Sequence, residues 1–327
     1  MPRVRRTLLR LLTTVQLTRL TMAYGAIADV WLVILLSRVE PAFGDLPVAR
    51  LPLAVALGAG LVVAVGLFAF GASLNDVLDA RRDRAFSPDR PIPAGRISPH
   101  QAVIVTSVCL ASAAIGAALL GVPAVMTFAL LVLGIVLYNG FAKHVPAVAF
   151  VTMGLLHAIH MAIPNHQFGF TLPIWLSMTH AMGISLLVHR LEDKRPPITT
   201  LSLALTVVGW IFWSATILTW GWWLTGGAWP LDTPLWPGLL WPIGAVAGFV
   251  LVARRKMRGV EGTVAAEKLR RYGAMWQSLY AVAWLAAMGL WTQALMLGGV
   301  AAGGFLVMTA LKEFGTLAAI PAGYRER

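Results

Sequence analysis

The chain has 327 residues, 58% of them hydrophobic and 12% charged, with a mean hydropathy of +0.75 and a formal charge of +12. Soluble domains are nearer about 45–50% apolar and 25% charged, so a soluble fold is excluded, and apolar runs without alternation exclude a closed β-barrel. A single cysteine, Cys109, sits in an apolar run and excludes a disulfide framework or a cysteine-based metal site.

The expected fold is all-α: a polytopic membrane protein of roughly nine transmembrane helices, which is what this length holds at about 20 residues per span. Residues 1–19 are basic and Leu/Thr-rich, with Arg3, Arg5, Arg6, Arg10 and Arg19 among leucines. This segment reads as an amphipathic helix lying on the membrane surface, without the cleavage site of a signal peptide. Spans are placed at 20–37, 52–75, 102–120, 123–141, 146–163, 171–190, 200–224, 236–253 and 274–297. A further apolar stretch, 299–311, opens the tail 299–327, and Gly298-Gly299 predicts a break before it. The whole chain, 1–327, reads as one transmembrane domain.

With the N-terminus on the cytoplasmic side, segments 1–19, 76–101, 142–145, 189–198 and 254–273 carry 21 of the 26 Lys and Arg residues. The outer loops hold only Arg38 and Arg50, which is a strong positive-inside bias. The positive charge therefore faces an anionic leaflet and calls for no nucleic acid. Trp220, Trp222, Trp223, Trp229, Trp236 and Trp241 gather around one outer loop, as an aromatic belt does.

One stretch resists a purely structural reading. Asn75, Asp76, Asp79 and Asp83 lie where the second span meets its cytoplasmic loop, followed by Arg81, Arg82, Arg84, Arg90 and Arg96. On a helix, Asn75, Asp79 and Asp83 fall at i, i+4 and i+8, and Asp76 lies three residues before Asp79, so one face gathers three carboxylates and an amide. Such hard oxygens suit Mg2+ bridging to phosphate, and forked arginines suit a diphosphate. A solvated, salt-bridged loop explains the arginines alone but not the carboxylates, which orientation does not require.

The run N-D-x-x-D-x-x-x-D, followed by D-R-P-I-P-x-G-R-I-S at 89–98, resembles the first aspartate-rich motif of the UbiA superfamily of intramembrane prenyltransferases. The resemblance implies nine transmembrane helices, with Asn75, Asp76, Asp79 and Asp83 holding Mg2+ and an isoprenyl diphosphate and Arg90 in the same site. Arg82 and Arg96 are candidate diphosphate contacts beside it. Tyr138-Asn-Gly-Phe-Ala-Lys143 is similar to the family's Tyr…Lys element, which implies that Lys143 meets phosphate and Tyr138 lines the reaction chamber. Read alone, the pair is equally an interfacial Tyr and a snorkelling Lys.

The family's second acidic motif is only partly present. His189-Arg190-Leu191-Glu192-Asp193-Lys194-Arg195-Pro196-Pro197 retains Asp193, replaces the first acid with Arg190 and the last with Pro197, and adds Glu192. Either one Mg2+ suffices, with Arg190, Lys194 and Arg195 neutralising phosphate, or the chain has left ordinary prenyl transfer. His157, His160 and His180 lie within spans. They fit interhelical hydrogen bonding, an acceptor pocket with acid–base capacity, or a metal or haem site.

The expected function is Mg-dependent transfer of an isoprenyl group from its diphosphate to a small aromatic or lipid-like acceptor, in a bacterial inner membrane with the active site facing the cytoplasm. Two alternatives stand beside it: a UbiA-type terpene cyclase acting without acceptor, and a non-catalytic subunit that binds or moves a prenylated lipid or pigment.

Overall fold

The computed structural model describes residues 12–317, apart from 228, 231 and 232, and without the side chains of 21 and 311–317. Most of the expected interfacial segment 1–19 and the end of the tail 299–327 therefore lie outside the described residues; 12–18 are helical. The described residues are helices joined by short turns, with no strand among them.

In chain order the helices are α1 (Tyr24–Val39), α2 (Leu53–Leu78), the short α3 (Ala80–Phe86), α4 (Pro99–Leu120), α5 (Val122–Gly140), α6 (Pro146–Ala162), α7 (Leu172–Leu191), α8 (Thr200–Thr225), α9 (Leu240–Met257), α10 (Gly262–Ala287) and α11 (Trp291–Leu317). Among the described residues, seven stretches are long and apolar enough to cross a membrane: α2, α4, α7, α8, 122–144, 235–257 and 291–310. Helices satisfy their own backbone groups, which is why such runs take this form in lipid. The ends follow local chemistry. Ser98 and Gln101 form a capping box before α4, Thr199 and Ser202 do the same for α8, and proline stands in the first turn of α4, α5, α6 and α7.

The predicted spans fall within a few residues of α1, α2 and α4–α9. The ninth span is corrected. The helix covering its start begins at Gly262, well inside the segment expected to be a charged loop, and ends at Ala287. The break falls at Met288–Leu290, where Gly289 adopts φ +73°, a conformation that glycine reaches without strain. Gly298-Gly299 stays helical inside α11.

α1 is buried on nearly every side, with twelve of its sixteen residues enclosed. α10 packs against α1, α7, α9 and α11. α8 and α9 keep almost nothing buried, which places them against lipid. α2 and α4 make the most extensive helix–helix contact, allowed by glycines facing each other's backbone. A Cβ on Gly66 would stand 2.8 Å from the Cys109 carbonyl oxygen, and one on Gly116 2.8 Å from that of Ala59. Between α2 and α4, the chain 87–98 folds back and buries Ile92 and Ile97 with Leu17 and Ala102. This small apolar anchor fixes the charged loop against the bundle.

Candidate active site

Asp79 closes α2 with φ −86° and ψ 0°, and α3 begins at the next residue. The i→i+4 ladder continues through the kink: Asp79 N–H donates to Asn75 O at 2.9 Å, and Asp83 N–H to Asp79 O at 2.8 Å. The four polar residues therefore stay on one side, as the spacing predicts. They are divided into two pairs, each held by a cation from elsewhere in the chain.

Lys143, in the turn after α5, donates from Nζ to Asp79 Oδ1 at 2.8 Å and to Asn75 Oδ1 at 3.3 Å. Arg90 donates from Nη1 to Asp83 Oδ2 at 2.6 Å and to Asp76 Oδ1 at 3.4 Å. The turns that place Arg90 come from the proline-rich run. Arg90 N–H bonds Ser87 O, Arg96 N–H bonds Pro91 O at 3.0 Å, and Gly95 turns the chain at φ +69°. Arg96 also donates from Nη2 to the Asp89 carbonyl. Arg82 is exposed and lies over the Phe86 ring at 6.0 Å.

A third cation was not singled out as a site residue by the sequence reading. Arg19, at φ 51° between helix 12–18 and α1, donates from Nη2 to Asp76 Oδ1 at 3.1 Å. Asp76 is 1% exposed and Asp83 5%. Burial pushes the Asp83 carboxyl above its usual range; Arg90 works against this, while Asp76 and Asp79 add to it.

The second motif folds differently. Glu192 turns inward and pairs with Arg270 of α10 at 2.9 Å and with Lys194 at 2.7 Å. Burial raises its carboxyl, yet Arg270 and Lys194 outweigh that and hold it at about 2. Arg190 is exposed in the last turn of α7. Asp193 is exposed in a left-handed turn at φ 44°. His189 packs edge-on to Phe150 and shares a hydrogen bond with the Pro196 carbonyl. Tyr138 is half-buried in the last turn of α5, five residues before Lys143.

Among the described residues, no group of three or more His, Cys, Asp or Glu side chains is arranged to hold a metal ion. This applies to His157, His160 and His180; His157 and His180 instead join hydrogen bonds across helices. It applies also to the aspartates as they stand, each engaged by Arg or Lys. Their donor chemistry nevertheless fits a hard divalent cation: three carboxylates and an amide oxygen at the end of a membrane helix.

The fold and this site define an integral membrane bundle with an interlocked acid–base cluster at one helix end. The profile of the UbiA prenyltransferase family matches residues 42–279. The chain belongs to that family, whose members generally use Mg2+ with diphosphate substrates. It is 38% identical over 74 residues to the digeranylgeranylglyceryl phosphate synthase of Methanopyrus kandleri, a match spanning 18% of this chain and 27% of that relative. A solved structure described as giving insights into digeranylgeranylglyceryl phosphate synthase in membranes superposes with a TM-score of 0.53. That match has 16% identity and covers 86% of this chain and 99% of the other. At that identity the likeness bears on the fold.

Proposed function

We propose that the whole chain, 1–327, acts as one UbiA-type transmembrane domain that transfers an isoprenyl group from its diphosphate to an aromatic or lipid-like acceptor. The observation that carries this reading is the cluster at Asn75–Asp83, where Arg19, Arg90 and Lys143 already gather around three carboxylates. Three cations converging on one place form a diphosphate seat, provided their present partners are given another counter-ion. Asn75, Asp76, Asp79 and Asp83 would hold Mg2+, which supplies the positive charge that steadies the leaving group.

In this mechanism Arg90, Lys143 and Arg19 turn from carboxylate to phosphate oxygens. Arg82, Arg96 and Arg190 add positive charge nearby. Asp193, exposed beside the locked Glu192, is the acid of the second motif still open to a ligand. The allylic C–O bond breaks with its electron pair on the departing diphosphate, and the acceptor's oxygen or ring carbon forms the new bond. The acceptor's proton leaves to the diphosphate or to water. Tyr138 would line the chamber in which the cation forms. The positive-inside bias supports a cytoplasmic N-terminus and site, and the membrane we propose is a bacterial inner membrane.

The test is pyrophosphate release from geranylgeranyl diphosphate by the purified protein, with and without Mg2+. Release that needs Mg2+ and is lost in Asp76→Ala and Asp79→Ala is expected. Absence of release from the wild type, across allylic chain lengths, would leave a non-catalytic lipid-binding role. A cyclic product formed without acceptor would establish the cyclase reading. The name of the M. kandleri relative makes a prenylated glyceryl phosphate one acceptor to include.

A further inference from the structure

Away from the diphosphate cluster, a file of polar side chains crosses the bundle interior. Ser177 of α7 donates from Oγ to Asp29 Oδ2 of α1 at 3.1 Å. Gln277 of α10 donates from Nε2 to Ser177 Oγ at 3.3 Å and to His157 Nδ1 of α6 at 3.1 Å. Four helices therefore meet on one unbroken line of hydrogen bonds. Asp29, Ser177 and Gln277 are each about 3% exposed. His160, three residues on from His157 in α6, is 8% exposed, and its Nε2 has no partner among the described residues.

Buried polar groups in a membrane bundle are costly unless they are matched. Most of the file is matched internally, and its His157–His160 end is not. Because His157 Nδ1 accepts from Gln277, the ring proton falls on Nε2. That gives the His157–His160 end one N–H and one further ring nitrogen with bonding capacity in hand. His157 itself is half-buried and bonds inward to α10. Nearby, His180 Nδ1 accepts from the Tyr280 hydroxyl at 3.1 Å while its Nε2 meets the Gly273 carbonyl at 3.0 Å, which satisfies that ring.

α10 fixes the depth. Gln277 lies seven residues beyond Arg270, two turns along the same face, or about 10 Å. Arg270 holds Glu192 just past the end of α7, in the second motif. The file contains no lysine or arginine, so it offers nothing to a phosphate or carboxylate. It offers hydrogen bonds to uncharged oxygens.

Resting on the transferase reading above, we infer that the His157–His160 end of this file, braced by Gln277, Ser177 and Asp29, is the seat of the acceptor's polar group, and that the acceptor is an uncharged hydroxyl- or carbonyl-bearing molecule such as a quinol, phenol or alcohol.

The experiment uses the full-length protein in detergent with geranylgeranyl diphosphate. Naphthohydroquinone and phenol serve as uncharged acceptors, and geranylgeranylglyceryl phosphate as the charged one. The expected result is prenylation of an uncharged acceptor by the wild type. In His157→Phe and Gln277→Leu the acceptor KM rises about tenfold, the loss of one hydrogen bond, while the diphosphate KM stays within about twofold. His157→Gln, which keeps a donor, recovers part of the loss. If the larger changes unfold the protein, Ser177→Ala carries the same KM comparison. An unchanged acceptor KM overturns the inference. So does use of the glyceryl phosphate alone, or consumption of diphosphate with no acceptor used. A wild type that releases no pyrophosphate refutes the transferase reading itself, and the inference falls with it.

Discussion

Lys143→Met isolates one arm of the interlocked cluster. Lys143 is 11% exposed and its partner Asp79 17%, so the pair is largely out of water. Removing one member of a buried pair costs about 3–5 kcal/mol because the other charge is stranded. Asp79 keeps some water, which brings the expected loss to about 2 kcal/mol. At roughly 2–4 °C per kcal/mol for larger domains, Tm should fall by roughly 4–8 °C in a thermal melt of the detergent-solubilised protein. Millimolar Mg2+ should then raise the Tm of the variant more than that of the wild type, because Asn75 and Asp79 no longer have Lys143 as their cation. Diphosphate affinity should drop about tenfold or more, the worth of one charge-assisted hydrogen bond. Lys143→Arg should restore most of the Tm but less of the affinity. An unchanged Tm, or equal Mg2+ response in both proteins, would refute the view that Lys143 and a metal ion compete for the same oxygens.

Arg90→Ala removes the shared partner of Asp76 and Asp83 and should lower Tm more than Lys143→Met, since both of its partners are less exposed; a melt of the two variants side by side checks this. Glu192 sits near 2 rather than its ordinary 4.5, so its contribution to stability is complete above about 4.5 and fades as pH falls toward 2. The wild type should therefore lose more stability than Glu192→Gln between pH 5 and about 2.5, read as Tm against pH. Asp83, with its carboxyl raised, acts in the opposite sense: its contribution favours the fold on the acid side and is lost as pH rises through its folded value. Gly116→Val should force α4 away from the Ala59 backbone of α2 and reduce the monodisperse fraction on gel filtration, whereas Gly298→Val meets nothing nearby and should not.

The apolar helices were legible because each is a long run bounded by proline, glycine or charge. α10 was not, because Glu267, Lys268, Arg270 and Arg271 make its first half look like a loop, while Glu267, Arg270 and Arg271 form ion pairs within its own turns and with Glu192 at the end of α7. The end of α10 was misplaced because two adjacent glycines signal a break more loudly than a lone Gly289, although only Gly289 takes the left-handed turn. Within the site, the spacing of Asn75, Asp76, Asp79 and Asp83 revealed their common face. It could not reveal Arg19, whose partner lies 57 positions away, nor Asp29, whose partner lies 148 positions away. Such pairings are set by which helices neighbour one another, and no local pattern records that. In the second motif, the substituted positions hid which acid would turn inward, and Glu192 did so because α10 supplies Arg270.

The cluster at the end of α2 has a consequence for ionic strength. Among the described residues, its three carboxylates are matched by the three cations that touch them. Pairs at this depth are little screened, since a Debye length of about 8 Å at physiological salt describes charges in open solution. Added salt should therefore leave the fold of the ligand-free protein almost untouched. The diphosphate, by contrast, approaches through water as a strong anion, and its capture should weaken as salt rises. A seat built from closely paired charges gives the molecule a fold that salt should barely touch and a binding step that responds to it.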